Sequence, residues 1–178
     1  MGIKQINGTY IAAEDRILMR VSTSAGEELR FWLTRPVTGQ LLAAIHAAAA
    51  RNIAQKFPPQ IAQTVAEFEQ QALQAQTRLD DKYLPGTTFP LGKAPALVVK
   101  IAAAAKADDM SLDLTLPDGR KVDLCLPRRL AQQVGVLLDG LQQKAGWGFA
   151  PQGDRAPAAG DAADAAATAA PHEKKTMH

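Results

Sequence analysis

Two arginines and a tryptophan lie in neighbouring segments where they can bind an anionic or aromatic partner. Leu18 and Arg20 belong to one segment, and Arg30 and Trp32 belong to the next. A tryptophan ring stacks on a nucleic-acid base or anchors a protein interface, and a guanidinium binds phosphate or carboxylate. These four residues are the first group of candidate binding residues.

Three more arginines lie where helices are predicted to begin. They are Arg35, Arg128 and Arg129. Because the N-terminal end of a helix carries a partial positive charge, a base there is unfavourable unless an acidic neighbour or ligand lies close by. These three residues form the second group of candidate binding residues.

Groups that could catalyse a reaction or hold a metal are not brought together by their spacing. Cys125 is the only cysteine, which excludes an intrachain disulfide and a cysteine-rich zinc site. The histidines are His46, His172 and His178, and the latter two lie in the last seven residues. We therefore predict no catalytic residues, no metal and no cofactor.

The segment GTTFPLGK, residues 86–93, superficially resembles a phosphate-binding loop. Five residues rather than four separate its glycines, Ala94 stands where Ser or Thr is required, and Pro90 lies inside the loop. A strand is predicted to follow, whereas a phosphate-binding loop leads into a helix. We reject this motif.

Two segments alternate apolar and polar residues with the period of a half-buried strand, and each turns back at a glycine. They are residues 17–33, with Gly26, and residues 110–126, with the turn Pro117-Asp118-Gly119. Proline presets φ and glycine supplies the left-handed position, which favours a three-residue hairpin loop. Each segment is therefore predicted to form a β-hairpin.

The predicted registers place like charges opposite each other, with opposite signs in the two hairpins. Arg20 faces Arg30 in the first, and Asp113 faces Asp123 in the second. Such pairs are destabilising by roughly a few tenths of a kcal/mol. Either the two pairs contact each other, within the chain or across a dimer, or the like-charged side chains are splayed apart in solvent. If the arginine pair is not neutralised within the protein, its face is free to bind a partner.

The two hairpins belong to a longer match at a constant offset of 93 residues. The match includes Gly26 with Gly119, Phe31 with Leu124, and Arg35 with Arg128, and it continues through the apolar stripe of the following helix. A further strand is predicted upstream of each hairpin. The predicted fold is therefore α+β, with two βββα units that arose by internal duplication.

A helical insert is predicted between the two units. From Gln60 to about Lys82, apolar residues recur at spacings of four and three, at Ile61, Val65, Phe68, Ala72, Ala75 and Leu79. This spacing is typical of a long amphipathic helix. The helix either packs on its own domain or pairs with a second subunit.

The predicted organisation is one α+β domain, residues 1–149, followed by a tail, residues 150–178. Within the domain, repeat 1 spans about residues 3–54, the insert 58–83 and repeat 2 about 87–147. The tail contains no Ile, Leu, Val, Phe, Trp or Tyr. Because it cannot bury enough apolar surface to offset its ordering entropy, we expect it to be disordered.

Charge and hydropathy indicate a cytoplasmic protein. Residues 1–149 carry 17 basic and 14 acidic side chains, which is a smaller basic excess than a dedicated nucleic-acid binder has. The N-terminal residues lack the apolar region of a secretory signal, and no segment approaches the roughly 18 apolar residues of a membrane span. We expect no membrane association.

The segments AEDRILMR, residues 13–20, and RFWLTR, residues 30–35, resemble uncharacterised proteobacterial proteins. The resemblance implies no activity and no binding residues. The functional hypothesis therefore rests on the residues alone. They predict a non-enzymatic binding or adaptor protein that is homodimeric and whose partner is itself or another protein. The alternative is a nucleic-acid-binding regulator that uses the patch around Arg20, Arg30 and Trp32, and an enzyme ranks third.

Removal of residues 151–178 tests the predicted tail. Because the segment has no apolar anchor, we expect the truncated chain to melt at essentially the same temperature as the full chain in a calorimetric scan. A loss of several degrees would show that the tail docks on the domain.

Overall fold

The computed structural model describes residues 2–76, 83–106 and 109–149, so the predicted tail lies outside the described residues. Along the described residues, three strands are followed by two helices, four more strands and a final helix. In order these are β1 (Ile3–Ile11), β2 (Arg16–Thr23), β3 (Glu28–Leu33), α1 (Arg35–Lys56), α2 (Pro59–Gln76), β4 (Ala96–Leu97), β5 (Lys100–Ala105), β6 (Asp109–Thr115), β7 (Lys121–Pro127) and α3 (Arg128–Lys144).

The strands form two sheets, and the predicted α+β class is confirmed. The first sheet has the order β1-β2-β3-β4, and the second has the order β5-β6-β7. All neighbours pair antiparallel except β3 and β4, which pair in parallel. The single strand predicted over residues 95–105 is divided, since β4 joins the first sheet and β5 joins the second, with the buried Val98 between them.

Both predicted hairpin registers are confirmed. Arg20 lies opposite Arg30, and Asp113 lies opposite Asp123. Gly119 has a φ of 82°, the left-handed conformation that the three-residue loop requires. The Leu116 amide donates to the Arg120 carbonyl and closes this loop at 2.9 Å.

The inward residues of both sheets and the apolar faces of α1 and α3 bury one common core. This core is mainly aliphatic, with Phe31 and Trp147 as its buried aromatic side chains. Its fully buried members include Ile17, Val21, Leu33, Leu41, Leu112, Leu114, Leu126 and Leu138.

α1 and α3 each pack against the strand that precedes the other hairpin. α3 packs against β1, and α1 packs against β5. The two helices also pack against each other, where His46 Nε2 lies 3.0 Å from Asp139 Oδ2. These two residues are 93 positions apart, which equals the constant offset of the sequence match.

The sequence predicts that α1 ends near Arg51 and that Gly146 terminates α3, and the structure differs in the first case. α1 continues to Lys56, and α2 follows after only two residues. α3 ends at Lys144, and Gly146 after it has a φ of 66°, as predicted for the residue that terminates this helix. Residues 77–82 of the predicted insert lie outside the described residues.

A substitution at Gly8 tests the contact between β1 and α3. A Cβ added at Gly8 lies only 2.7 Å from Leu141 Cδ1, so Gly8→Val fits only if the Leu141 side chain moves. We expect urea titration to show a loss of about 1–3 kcal/mol in the free energy of unfolding.

Gly140→Val is the matched control, because a Cβ there has no neighbour within 4 Å. Its effect on the free energy of unfolding should stay within about 0.5 kcal/mol, since Val and Gly differ by no more than that in helix propensity. Equal losses in the two variants would contradict the contact between β1 and α3.

Candidate functional site

The first group of candidate residues lies together on the outer face of the first sheet. Leu18 pairs with Trp32, and Arg20 pairs with Arg30 in the next row. All four side chains are half-buried. Trp32 also pairs with Leu97 of β4, so an apolar row extends across three strands.

Residues 83–95, here called the strap, run along this outer face before β4. The Leu84 amide donates to Gln5 Oε1 at 3.1 Å, and the Glu28 amide donates to the Thr88 carbonyl at 2.8 Å. Gly86 passes so close to β3 that an added Cβ would lie 2.6 Å from the Glu27 carbonyl carbon. The strap is therefore fixed to the sheet by backbone contacts.

Arg20 contacts its own sheet and the strap. Its Nη2 donates to Asn7 Oδ1 at 2.6 Å, and its guanidinium carbon lies 4.6 Å from the centre of the Tyr83 ring. The contact with the ring face is a favourable cation–π arrangement. Arg20 is therefore only half-buried but already has a polar and an aromatic partner.

Arg30 has a charged partner within its own strand. Its Nε donates to Glu28 Oε1 at 2.6 Å, and its Nη1 donates to the Lys93 carbonyl at 3.0 Å. The Phe89 ring centre lies 4.7 Å from its guanidinium carbon. Arg30 therefore ties the strap to the sheet at two places.

Glu28 is a fully buried carboxylate beneath the strap. Burial raises its pKa, but hydrogen bonds from Arg30 and from the Gly86 amide outweigh burial, so the pKa of Glu28 lies below its ordinary value. Burial and the nearby Glu28 charge raise the pKa of Tyr83 to about 12. Glu28 is therefore ionised and Tyr83 neutral at pH 7.

These contacts correct one prediction for the hairpin charges. Among the described residues, neither Asp113 nor Asp123 forms an ion pair with an arginine, and Glu28 neutralises Arg30 instead. The predicted contact between the two charge pairs within the chain is wrong. Their contact across a dimer stays a prediction.

Arg35, at the start of α1, binds the segment that follows α3. Its Nη2 donates to the Trp147 carbonyl at 2.6 Å, and its guanidinium carbon lies 6.0 Å from the Phe149 ring centre. We call residues 145–149 the hook. The hydrogen-bond acceptor of Arg35 is therefore a backbone carbonyl, and the nearby Arg35 charge also helps to lower the pKa of Asp15.

Trp147 of the hook is the centre of a polar and aromatic cluster that the sequence did not predict. Its Nε1 donates to Asp15 Oδ1 at 2.7 Å, and the Tyr10 hydroxyl donates to the same oxygen at 2.8 Å. The hydrogen bonds from Trp147 and Tyr10 lower the pKa of Asp15. Gly146 and Gly148, both at positive φ on either side of Trp147, were the sequence signal for this tight turn.

Arg128 and Arg129, at the start of α3, line a cavity of about 440 Å³ between α1, α2 and α3. We call it the interhelical cavity. Lys56 and Glu69 also line it. Its apolar lining includes Ile53, Phe68 and Leu73. The cavity is therefore lined by both basic and apolar side chains.

The structure brings the seven candidate residues to three places, since the outer face, the hook and the interhelical cavity are separate. In the described part of the chain, no three His, Cys, Asp or Glu side chains are grouped as metal ligands would be. None of the described helices has the length and hydropathy needed to cross a membrane.

No family model, no curated protein and no solved structure matches this chain. The resemblance to proteobacterial proteins therefore stays a prediction.

Glu28→Gln tests the role of the buried carboxylate. The folded pKa lies below the ordinary value of 4.5, so Glu28 stabilises the fold above pH 4.5 and loses this effect as the pH falls towards the folded pKa. In chemical denaturation at pH 7, the variant should lose about 1–3 kcal/mol. Its stability should also vary less with pH below 4.5 than that of the unmodified chain.

Glu14→Gln is the control, because Glu14 is exposed and lies 3.9 Å from Arg16 in a surface ion pair. Such a pair contributes about 0–1 kcal/mol, so the control should unfold almost as the unmodified chain does. A Glu28→Gln variant with the pH profile of the control would refute the role assigned to the buried carboxylate.

Proposed function

We propose that this chain is a non-enzymatic binding protein that works as a homodimer, with α2 as the contact between two copies. The observation that carries the proposal is the exposure of the apolar face of α2. Phe68 is 72% exposed and Ile61 is 47% exposed. None of the α2 side chains that the structure describes is buried.

The apolar stripe of α2 contains both half-buried and exposed side chains. Val65 and Ala72 are half-buried, whereas Ile61 and Phe68 are exposed. Packing on the chain's own domain therefore accounts for only part of the stripe. A large aromatic side chain left in solvent in the middle of an apolar stripe is typical of an interface anchor.

The pattern of the stripe favours a second copy as the partner. Spacings of four and three residues let two identical helices interdigitate, and a two-fold axis gives both copies the same contact. Glu67 and Glu69 are the charged residues of α2, and most of the other flanking residues are Gln, Thr or Ala. Two copies of α2 can therefore approach with little charge repulsion.

Phe68→Lys and Ile61→Lys test the dimer. Sedimentation velocity over a range of concentrations should show a dimer for the unmodified chain and a monomer for Phe68→Lys, because the new charge would be buried in the contact. Ile61→Lys should weaken the dimer less, because Ile61 is nearer the end of the helix.

The matched control is Gln63→Lys, which adds the same charge to the same helix. Gln63 is exposed and contacts Glu67 at 3.3 Å, so the new lysine gains a carboxylate neighbour. This variant should remain dimeric. A monomeric unmodified chain, or a Phe68→Lys variant that stays dimeric, would refute the proposed contact.

The alternative function, nucleic-acid binding at Leu18, Arg20, Arg30 and Trp32, has less support. The two arginines contact Asn7, Glu28 and the aromatic rings of the strap. A phosphate would have to compete with the buried Glu28 carboxylate for Arg30.

We also propose that the protein is cytoplasmic.

We propose further that the two βββα units are copies of one ancestral unit. The corresponding registers of the two hairpins support this origin, as does the contact between His46 and Asp139 at matching positions of α1 and α3. The helical insert and the hook are the parts in which the units differ.

A further inference from the structure

β7 is the last strand on one side of the second sheet, so one of its edges has no neighbouring strand among the described residues. The register with β6 determines which backbone groups lie at that edge. The Leu116 amide donates to the Arg120 carbonyl opposite it, and hydrogen-bonded pairs recur at every second residue of an antiparallel ladder. The amides and carbonyls of Val122, Leu124 and Leu126 therefore face β6.

The alternate residues of β7 direct their backbone groups away from β6. These residues are Lys121, Asp123 and Cys125, and all three are exposed. In the part of the chain that the structure describes, no loop or side chain forms a hydrogen bond with their amides or carbonyls. Pro127 ends this row, because proline has no N–H. β7 therefore presents an unpaired edge on which another strand can form.

The other edge strands of the two sheets are less suited to a partner strand. β1 packs against α3 and has an irregular register between Ile3 and Gln5, and β4 has only two residues. β5 carries four consecutive alanines, residues 102–105, which offer no charge to select a partner. β7 instead keeps one register over its whole length and carries charged side chains.

The side chains on the outer face of the second sheet give the β7 edge a charge pattern. Asp123 lies opposite Asp113, and two residues away Lys121 lies opposite Thr115. Among the described residues, neither carboxylate forms an ion pair, so nothing there offsets their repulsion. On an added strand, a base opposite Asp123 would lie in the same row and offset this repulsion. An acid opposite Lys121 would form a second favourable pair.

The core side of β7 favours apolar residues in the same added strand. Leu124 is buried, whereas Val122 is only half-buried at the edge. Successive side chains of a strand point to opposite faces of the sheet. The residues between the charged positions of an added strand would therefore lie beside Val122 and Leu124, where apolar side chains would cover Val122.

We infer that the free edge of β7 binds an extended segment of a partner protein as an antiparallel fourth strand of the second sheet. Backbone hydrogen bonds hold the segment, and its side chains select it. A Lys or Arg lies opposite Asp123, an Asp or Glu lies opposite Lys121, and apolar residues alternate with them. The inference rests on the proposed binding role and names the class of partner, but it does not depend on the α2 contact.

The β7 edge does not complement a second copy of itself. An antiparallel pair of β7 edges centred on Asp123 would place the two Asp123 side chains opposite each other, and one centred on Leu124 would place Asp123 opposite Cys125. β7 begins at Lys121, so a register that pairs Asp123 with Lys121 joins only residues 121–123. The occupant is therefore a segment of different sequence.

Fluorescence polarisation with the full chain tests the inference. The probe is a fluorescein-labelled peptide of sequence Ser-Gly-Thr-Val-Lys-Val-Glu-Gly, which places its lysine opposite Asp123 and its glutamate opposite Lys121. We expect saturable binding that Asp123→Lys and Lys121→Glu each weaken about tenfold, which corresponds to about 1.4 kcal/mol. Each reversal has this effect because it replaces an attraction with a repulsion.

Lys100→Glu is the matched control for Lys121→Glu. Both lysines are exposed and lie opposite Thr115, but Lys100 is on β5, at the far side of the sheet from the proposed site. Lys100→Glu should therefore bind the probe as the unmodified chain does. Equal weakening by the two reversals, or an absence of probe binding to the unmodified chain, would overturn the inference.

A second probe separates loss of the site from loss of the fold. Its lysine and glutamate are exchanged, so it should bind the double variant Asp123→Lys, Lys121→Glu about as tightly as the first probe binds the unmodified chain. Circular dichroism checks that the double variant is folded. If the folded double variant does not bind the exchanged probe, the proposed charge pairs are wrong.

Methylated probes test the backbone contacts without changing the protein. In the proposed register the amide of the probe's lysine faces β7, whereas the amide of its first valine faces away. An N-methyl group on the lysine amide should abolish binding, and one on the first valine amide should be tolerated. Equal binding of the two methylated probes would overturn the addition of a strand.

Sedimentation velocity of the same samples distinguishes this inference from the proposed dimer. A dimer that does not bind the probe overturns the site at β7 and leaves the α2 contact intact. A monomer that binds the probe with the expected sensitivity to Asp123 and Lys121 overturns the dimer and supports the site. If Asp123→Lys alone turns a dimeric chain into a monomer, the occupant of the edge is a second copy and the inference is overturned.

Discussion

The rest of the fold depends on the close packing of α1 and α3 against each other and against the strand that precedes the opposite hairpin. A Cβ at Gly135 of α3 would lie 3.0 Å from Ile45 Cγ2, and one at Gly8 of β1 would lie 2.7 Å from Leu141 Cδ1. Because these contacts join distant parts of the chain, both hairpins bury one core. Small residues at the crossing points make that close approach sterically feasible.

This packing determines which surfaces remain available to a partner. The strap covers the two arginines on the outer face of the first sheet, and the hook covers the first turn of α1. The first turn of α3 opens on the interhelical cavity, and α2 exposes one edge of its apolar stripe. The cavity and the exposed edge of α2 are therefore adjacent, and both depend on the helix that lies between α1 and β4.

Local patterns predicted the hairpins, their registers and the starts of the helices, because the turn glycines and the alternation of apolar residues act over a few positions. The contacts that the strap and the hook make with distant residues had no such signal. Glu28 meets Gly86 58 residues away, and Asp15 meets Trp147 132 residues away. For the same reason, the sequence named Arg128 and Arg129 as unusual without indicating the cavity that they share with Lys56.

The most direct test of the proposed dimer is an electron-spin distance measurement between two copies of α2. Cys125 is the only cysteine, so Cys125→Ser with Thr64→Cys places one spin label on the exposed side of α2. Dipolar electron paramagnetic resonance should then show a defined distance between the labels of two copies, which disappears when Phe68→Lys is added. A signal that decays without a defined distance, at concentrations where the chain is folded, would contradict the proposed dimer through α2.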